Sequence, residues 1–160
     1  MGKYTEYEGK PDATGMRLAI VAGRFNADIT KLLLDGAQHE LADLGLERDS
    51  VPVVWVPGAF EIPLVAKQLV EWGELDAVIC LGAVIRGDTP HFDFVAGECA
   101  SGISRVALDT GVPIAFGVLT TDDVDQALAR AGGPEGNKGA EAAATAVEIV
   151  DLLRQLGKQG

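Results

Sequence analysis

Four short apolar runs, at residues 16–22, 51–56, 77–85 and 112–119, constrain this chain more than any other feature. Each is rich in Val, Ile and Leu and lacks the strict alternation of a strand with one wet face. That is the pattern of parallel strands covered on both sides. Between and after these runs the apolar spacing changes to a helical period. Residues 27–44 put Ile29, Leu33, Ala37, Leu41 and Leu44 on one helical face and stop at Gly45. Residues 63–72 do the same with Val65, Leu69 and Trp72 ahead of Gly73. Further helices are expected at 90–109, 122–131 and 138–156.

Alternating strands and helices imply right-handed crossovers and an open sheet with helices on each side. The expected fold class is α/β: a three-layer, flavodoxin-like doubly wound sheet of four parallel strands with helices on both faces. A chain of 160 residues fits one such domain, here residues 16–160. Residues 1–15 are a candidate arm, with Tyr4 and Tyr7 suited to docking on a neighbouring subunit. No run approaches the roughly 20 apolar residues of a membrane-spanning helix. Residues 1–15 also lack the apolar core of a signal peptide, so a cytoplasmic location is expected.

The net charge of −11 argues against a polyanionic partner such as DNA or RNA. It does not exclude a small anion, because one helix end and two basic side chains can set the local field. Cys80 and Cys99 have no metal-site or redox spacing, and the expectation for both is a reduced thiol packed as a small apolar residue.

Ligands of an open parallel sheet bind beyond the carboxyl ends of its strands. The unusual residues of this chain gather there: Gly23-Arg24-Phe25-Asn26, Pro57-Gly58-Ala59-Phe60-Glu61, Arg86-Gly87-Asp88-Thr89-Pro90-His91 and Thr120-Thr121-Asp122-Asp123. Thr89-Pro90 reads as an N-cap followed by the first helical position. Gly87 lets the backbone approach closely, and the free N–H groups of the turn make a phosphate site. Taken alone, the same four residues do no more than start a helix.

His91 falls in the first turn of that helix, where it either carries protons or bonds structurally to a neighbour. His39, among Asp35, Gln38 and Glu40, reads as a surface residue. Phe25 and Phe60 sit at strand exits and can stack on a planar heterocycle or fill core. Glu61 can accept bonds from hydroxyls or favour a helix start. Lys138 opens the last helix behind Asn137 as a cap, a position where a cation opposes the helix dipole. Its compensation is an anionic ligand, solvent or a nearby carboxylate. Arg130 ends the fourth helix, where the dipole already favours it.

Taken together, these segments resemble the 6,7-dimethyl-8-ribityllumazine synthases of riboflavin biosynthesis. The matching stretches are Gly23-Arg24-Phe25-Asn26, Pro57-Gly58-Ala59-Phe60-Glu61-Ile62-Pro63, Gly82-Ala83-Val84-Ile85-Arg86-Gly87-Asp88-Thr89-Pro90-His91-Phe92-Asp93, Gly117-Val118-Leu119-Thr120-Thr121 and Asn137-Lys138-Gly139. They occur in the family's order and spacing from about Met16 onward. The resemblance implies condensation of 5-amino-6-ribitylaminouracil with 3,4-dihydroxy-2-butanone 4-phosphate, without metal or organic cofactor. It implies that Phe25 stacks on the pyrimidine, and that Gly58, Ala59, Phe60, Glu61, Ala83, Val84 and Ile85 hold the uracil edge and ribityl chain. Gly87, Asp88, Thr89 and Arg130 would bind the phosphate, His91 would carry protons, and Phe116 and Lys138 would complete the pocket.

The resemblance further implies a homo-oligomer, a pentamer or a sixty-subunit shell built from pentamers, with riboflavin synthase as a candidate partner. Phe116, Arg130 and Lys138 would then come from the adjacent subunit. Two departures are visible: Phe94 stands where many relatives carry tyrosine, and Asp123 adds negative charge near the fourth strand's exit. A non-catalytic flavin or nucleotide module on the same fold is disfavoured. The first loop is no flavodoxin phosphate cradle, and neither G-x-G-x-x-G nor a Walker sequence follows the first strand. A shell protein without activity is disfavoured because His91, Arg130 and Lys138 are intact.

Overall fold

The computed structural model describes residues 3–158; Met1, Gly2, Gln159 and Gly160, the ends of the expected arm and domain, lie outside the described residues. Strands β1 (Leu18–Gly23), β2 (Val53–Val56), β3 (Ala77–Ile85) and β4 (Ile114–Thr121) form one parallel sheet in the order β2-β1-β3-β4. Helices α1 (Ala27–Asp43) and α5 (Lys138–Gly157) pack on one face. Helices α2 (Ile62–Trp72) and α3 (His91–Thr110) pack on the other, giving the three layers expected.

Each face has its own core. Leu18, Ile20, Ile79 and Leu81 meet Leu33, Leu41 and Val147 on the α1–α5 side. Val21, Val78, Cys80 and Val118 meet Ile62, Ala66, Cys99 and Ile103 on the other. Because β1 and β3 are central strands, residues pointing either way are buried, which is why their sequences do not alternate. Leu33 and Leu41 are fully withdrawn from water, each worth about 1.5–3 kcal/mol. Helices α1 and α5 touch through a small-residue face that includes Ala37, Gly139, Ala143 and Ala146. A Cβ on Gly139 would run into the Leu33 carbonyl oxygen and lie 2.7 Å from its carbon.

Several boundaries differ from the sequence expectation. The fourth strand runs two residues later, because Gly111 ends α3 in the left-handed conformation (φ 70°) and Thr120 and Thr121 pair with Val84 and Ile85. The fourth helix, α4, covers only Val124–Ala129, since Asp123 caps it by accepting from the Gln126 N–H at 2.8 Å. The link after it is not a plain loop. Ala131–Gly133 (β5) and Gly136–Asn137 (β6) form a small antiparallel hairpin, with Gly132 and Gly136 at φ 105° and 84°. The arm is held along α5 of its own chain: the Lys10 N–H donates to Asp151 at 2.8 Å, and Gln155 donates to the Glu8 carbonyl at 2.7 Å. The Lys10 N–H, with help from Gln155, holds the Asp151 carboxyl below the usual range. Tyr4 and Tyr7 remain exposed.

Candidate active site

Strand order locates the site. The chain steps from β1 outward to β2, then crosses back over β1 to β3. The winding direction therefore reverses beside β1, and a crevice opens at the carboxyl ends of β1 and β3. Loops stitch its rim together. The Arg24 N–H donates to the Val56 carbonyl at 2.7 Å and the Phe25 N–H to that of Pro57 at 3.0 Å. Asn26 adopts φ 61° and spends its side chain on the Ala83 carbonyl at the end of β3, 2.9 Å away. With the backbone tied on both sides, the Phe25 ring is left 73% exposed.

Beyond β2 a 3₁₀ turn, Ala59–Glu61, leads directly into α2 and leaves Phe60 projecting. Beyond β3 the chain turns through residues 86–90 into α3. The helix begins one residue later than expected, at His91. The N-cap is therefore Pro90 rather than Thr89 and carries no side-chain cap bond; the Thr89 hydroxyl only accepts a long 3.4 Å contact from the His91 N–H.

These loops enclose a cavity of about 680 Å³. Its lining includes Phe25, Gly58, Ala59, Phe60, Glu61, Ala83, Val84, Ile85, Gly87, Thr89 and His91. The cavity is thus an apolar and aromatic cleft carrying one carboxylate and one imidazole. Such a cleft suits a planar heterocycle with a few hydroxyls to fix its orientation. Asp88 lies in the same turn but is not part of the lining.

Three expected site residues stay away from the cavity. Phe116 is half-exposed on β4, which is an edge strand. Arg130 ends α4 and donates to the Gln126 carbonyl at 3.0 Å. Lys138 opens α5 behind Asn137, whose side chain accepts from the N–H groups of Gly139 and Ala140. The Lys138 ammonium sits 3.3 Å from Glu141, so a carboxylate one turn along answers the unfavourable dipole.

Four lining residues were given no place in the pocket from sequence: Pro57, Phe92, Phe94 and Val95. With His91, the last three form one stripe along the first turns of α3. The available signal was the three-to-four spacing of Phe92 and Val95 with Cys99, Ile103 and Val106, which runs the stripe into the buried face of the helix. His39 is exposed as expected, bonded to the Asp35 carbonyl at 2.9 Å. Cys80 and Cys99 are buried free thiols. Burial pushes Cys80 far up and Cys99 to about 11, so neither serves as a thiolate near neutral pH.

The profile of the 6,7-dimethyl-8-ribityllumazine synthase family matches residues 15–154 of this sequence. The chain belongs to the lumazine synthase family. It is similar to the 6,7-dimethyl-8-ribityllumazine synthase of Protochlamydia amoebophila (strain UWE25), 55% identical over 151 residues. That alignment covers 94% of this chain and 88% of the relative. The α/β sheet described above is consistent with a lumazine synthase, and the match includes all four of its strands.

Proposed function

We propose that the cavity at the carboxyl ends of β1, β2 and β3 is where this enzyme performs the reaction of its family. As a lumazine synthase, the chain condenses 5-amino-6-ribitylaminouracil with 3,4-dihydroxy-2-butanone 4-phosphate, the penultimate step of riboflavin biosynthesis. The uracil's primary amine attacks the ketone and water leaves as an imine forms. Phosphate is then eliminated, and the second amine closes the ring with loss of a further water. The observation that carries the placement is the grouping of Phe25, Phe60, Glu61, Thr89 and His91 around one cleft.

In this reading Phe25 stacks on the pyrimidine, and Gly58, Ala59, Phe60 and the Ala83, Val84 and Ile85 segment hold its edge and ribityl chain, with Glu61 on the hydroxyls. The turn of Gly87, Asp88 and Thr89 takes the phosphate at the positive end of α3. His91, at the first position of that helix, relays protons. Holding two substrates together is worth about 7–11 kcal/mol for well-oriented reactants. A positioned acid–base adds roughly 10²–10⁴ in rate.

Lumazine synthases are typically oligomeric, and Phe116, Arg130 and Lys138 do not line the cleft of a single chain. The proposal supplies these three from an adjacent copy within a pentamer. Exposed Phe116 on the β4 edge supports this, as do Tyr4 and Tyr7, which stay exposed ahead of the point where the arm is tied to α5 at Glu8 and Lys10. Assembly of pentamers into a sixty-subunit shell, association with riboflavin synthase and a cytoplasmic location complete the reading. The last is supported by two free thiols. No helix among the described residues is long and apolar enough to cross a membrane.

The test is complementation. His91→Ala and Lys138→Ala should each lower turnover, the first by roughly 10². Mixing the two after dissociation and reassembly should recover activity, because some shared sites then carry both native residues. Lumazine formation followed by absorbance reads this directly. Failure of the mixture to exceed either variant alone would show that each site is built from one chain.

A further inference from the structure

Arg86 has no task in the site described so far, yet it contacts Phe92, which lines the cavity. It is the first residue after β3, and its N–H donates to the Thr121 carbonyl at 2.8 Å, extending the β3–β4 pairing by one step. Its guanidinium carbon lies 4.4 Å from the centre of the Phe92 ring. Its Nε is 3.0 Å from Asp122, and its Nη1 is 3.5 Å from Asp93. One planar group therefore touches the first turn of α3 twice and the junction between β4 and α4 once.

The consequence is geometric. The chain leaves the sheet at Arg86 and is brought back to the same side chain at Phe92, so residues 87–91 become a closed loop. That loop contains the phosphate turn and His91. Lysine could supply the charge but not the flat fork that stacks on a ring while bonding a carboxylate at its edge. The consequence is also electrostatic. Asp88, Asp93, Asp122 and Asp123 crowd this edge of the sheet, and Arg86 pairs with the two of them that flank the loop. Unpaired, those carboxylates would repel an anion bound at the start of α3.

We propose that Arg86 is a positioning residue for the reaction: it staples residues 87–91 through Phe92 and neutralises Asp93 and Asp122. The phosphate turn and His91 thereby keep one geometry toward the cavity. The proposal rests on reading residues 87–89 as the phosphate site. Because the guanidinium and both carboxylates are about half-exposed or more, their pairing adds little to folding stability. The effect falls on substrate handling.

Arg86→Met, Arg86→Lys and, as reference, Thr89→Ala separate the possibilities. The readouts are KM for each substrate, kcat, inhibition by inorganic phosphate and the urea unfolding midpoint. Arg86→Met should weaken inorganic phosphate and raise KM for the phosphorylated substrate about three- to tenfold. It should lower kcat while leaving KM for the pyrimidine and the unfolding midpoint in place. Arg86→Lys should restore phosphate affinity but not kcat. Unchanged phosphate affinity in Arg86→Met, with Thr89→Ala impaired, overturns the Arg86 proposal alone. Unchanged phosphate affinity in both variants removes the phosphate site and the proposal with it. Equal loss of both substrates together with a lowered midpoint would mark Arg86 as a structural prop and overturn the positioning role.

Discussion

Asn26 is where local backbone conformation and the site are most tightly coupled. Among the described residues it is the only non-glycine with positive φ, at 61°, and its side chain bonds the Ala83 carbonyl at 2.9 Å. Asparagine tolerates this conformation better than most residues because its short amide bonds locally. Asn26→Gly keeps the conformation and deletes the bond, which costs about 0.5–1.5 kcal/mol. Asn26→Ala deletes the same bond and adds roughly 1–2 kcal/mol for forcing a Cβ into the left-handed region. Asn26→Asp keeps the conformation but turns an acceptor toward an acceptor, so it should match or fall below the glycine variant. Urea unfolding reads the series, since about 1 kcal/mol moves the midpoint by roughly 0.3–1 M. The expected order is native, then Gly, then Ala. Phe25 is the preceding residue, so KM for the pyrimidine should rise in the same order. An alanine variant as stable as the glycine variant would refute the reasoning, because it would show that the backbone at Asn26 carries no left-handed penalty.

Other consequences follow from packing and burial. Gly139→Ala sets a gain in helix propensity of up to about 1 kcal/mol against an overlap with the Leu33 backbone. Overpacking of this kind costs about 1–3 kcal/mol or more, so unfolding should come earlier, whereas Gly97→Ala on α3, where a Cβ meets nothing within 4 Å, should not destabilise the chain. Burial raises the Cys99 thiol from its ordinary 9.0 to about 11. The folded state therefore holds that proton more tightly than the unfolded chain. Its contribution is fully present below pH 9 and is lost as pH rises toward 11. Unfolding midpoints measured across that window should fall in the native protein and fall less in Cys99→Ala, with both thiols unreactive toward alkylation at neutral pH until the chain unfolds.

Much of the fold was legible because its signals are local. A strand buried on both faces cannot alternate, so the runs ending at Ala22 and Ile85 announced parallel strands before any contact was known. Helices α1 and α2 end near the glycines that close their apolar periods, Gly45 and Gly73. The hairpin of β5 and β6 escaped because strands of three and two residues are too short to show a period. Helix α4 was drawn too long because Asp123, read as an added charge near the site, is its cap. In the site, Phe25, Thr89 and His91 stood out as unusual residues at strand ends. Phe92 and Phe94 were not placed in the cavity, since which side of α3 faces it depends on how that helix is rotated on the sheet. The Arg86–Asp122 pair joins positions 36 residues apart and has no sequence signature.

The sequence by itself determined the succession of strands and helices, the segments that carry chemistry and, through their spacing, the family. These are properties a chain carries residue by residue, in periods, caps and turn residues. Only the tertiary structure decided which loops share a cavity, and which side chains of α3 line it. Membership of a cleft depends on the strand order β2-β1-β3-β4, which crossover handedness and the need to bury both faces impose together. No single segment contains that information, because it exists only once the segments are packed against one another.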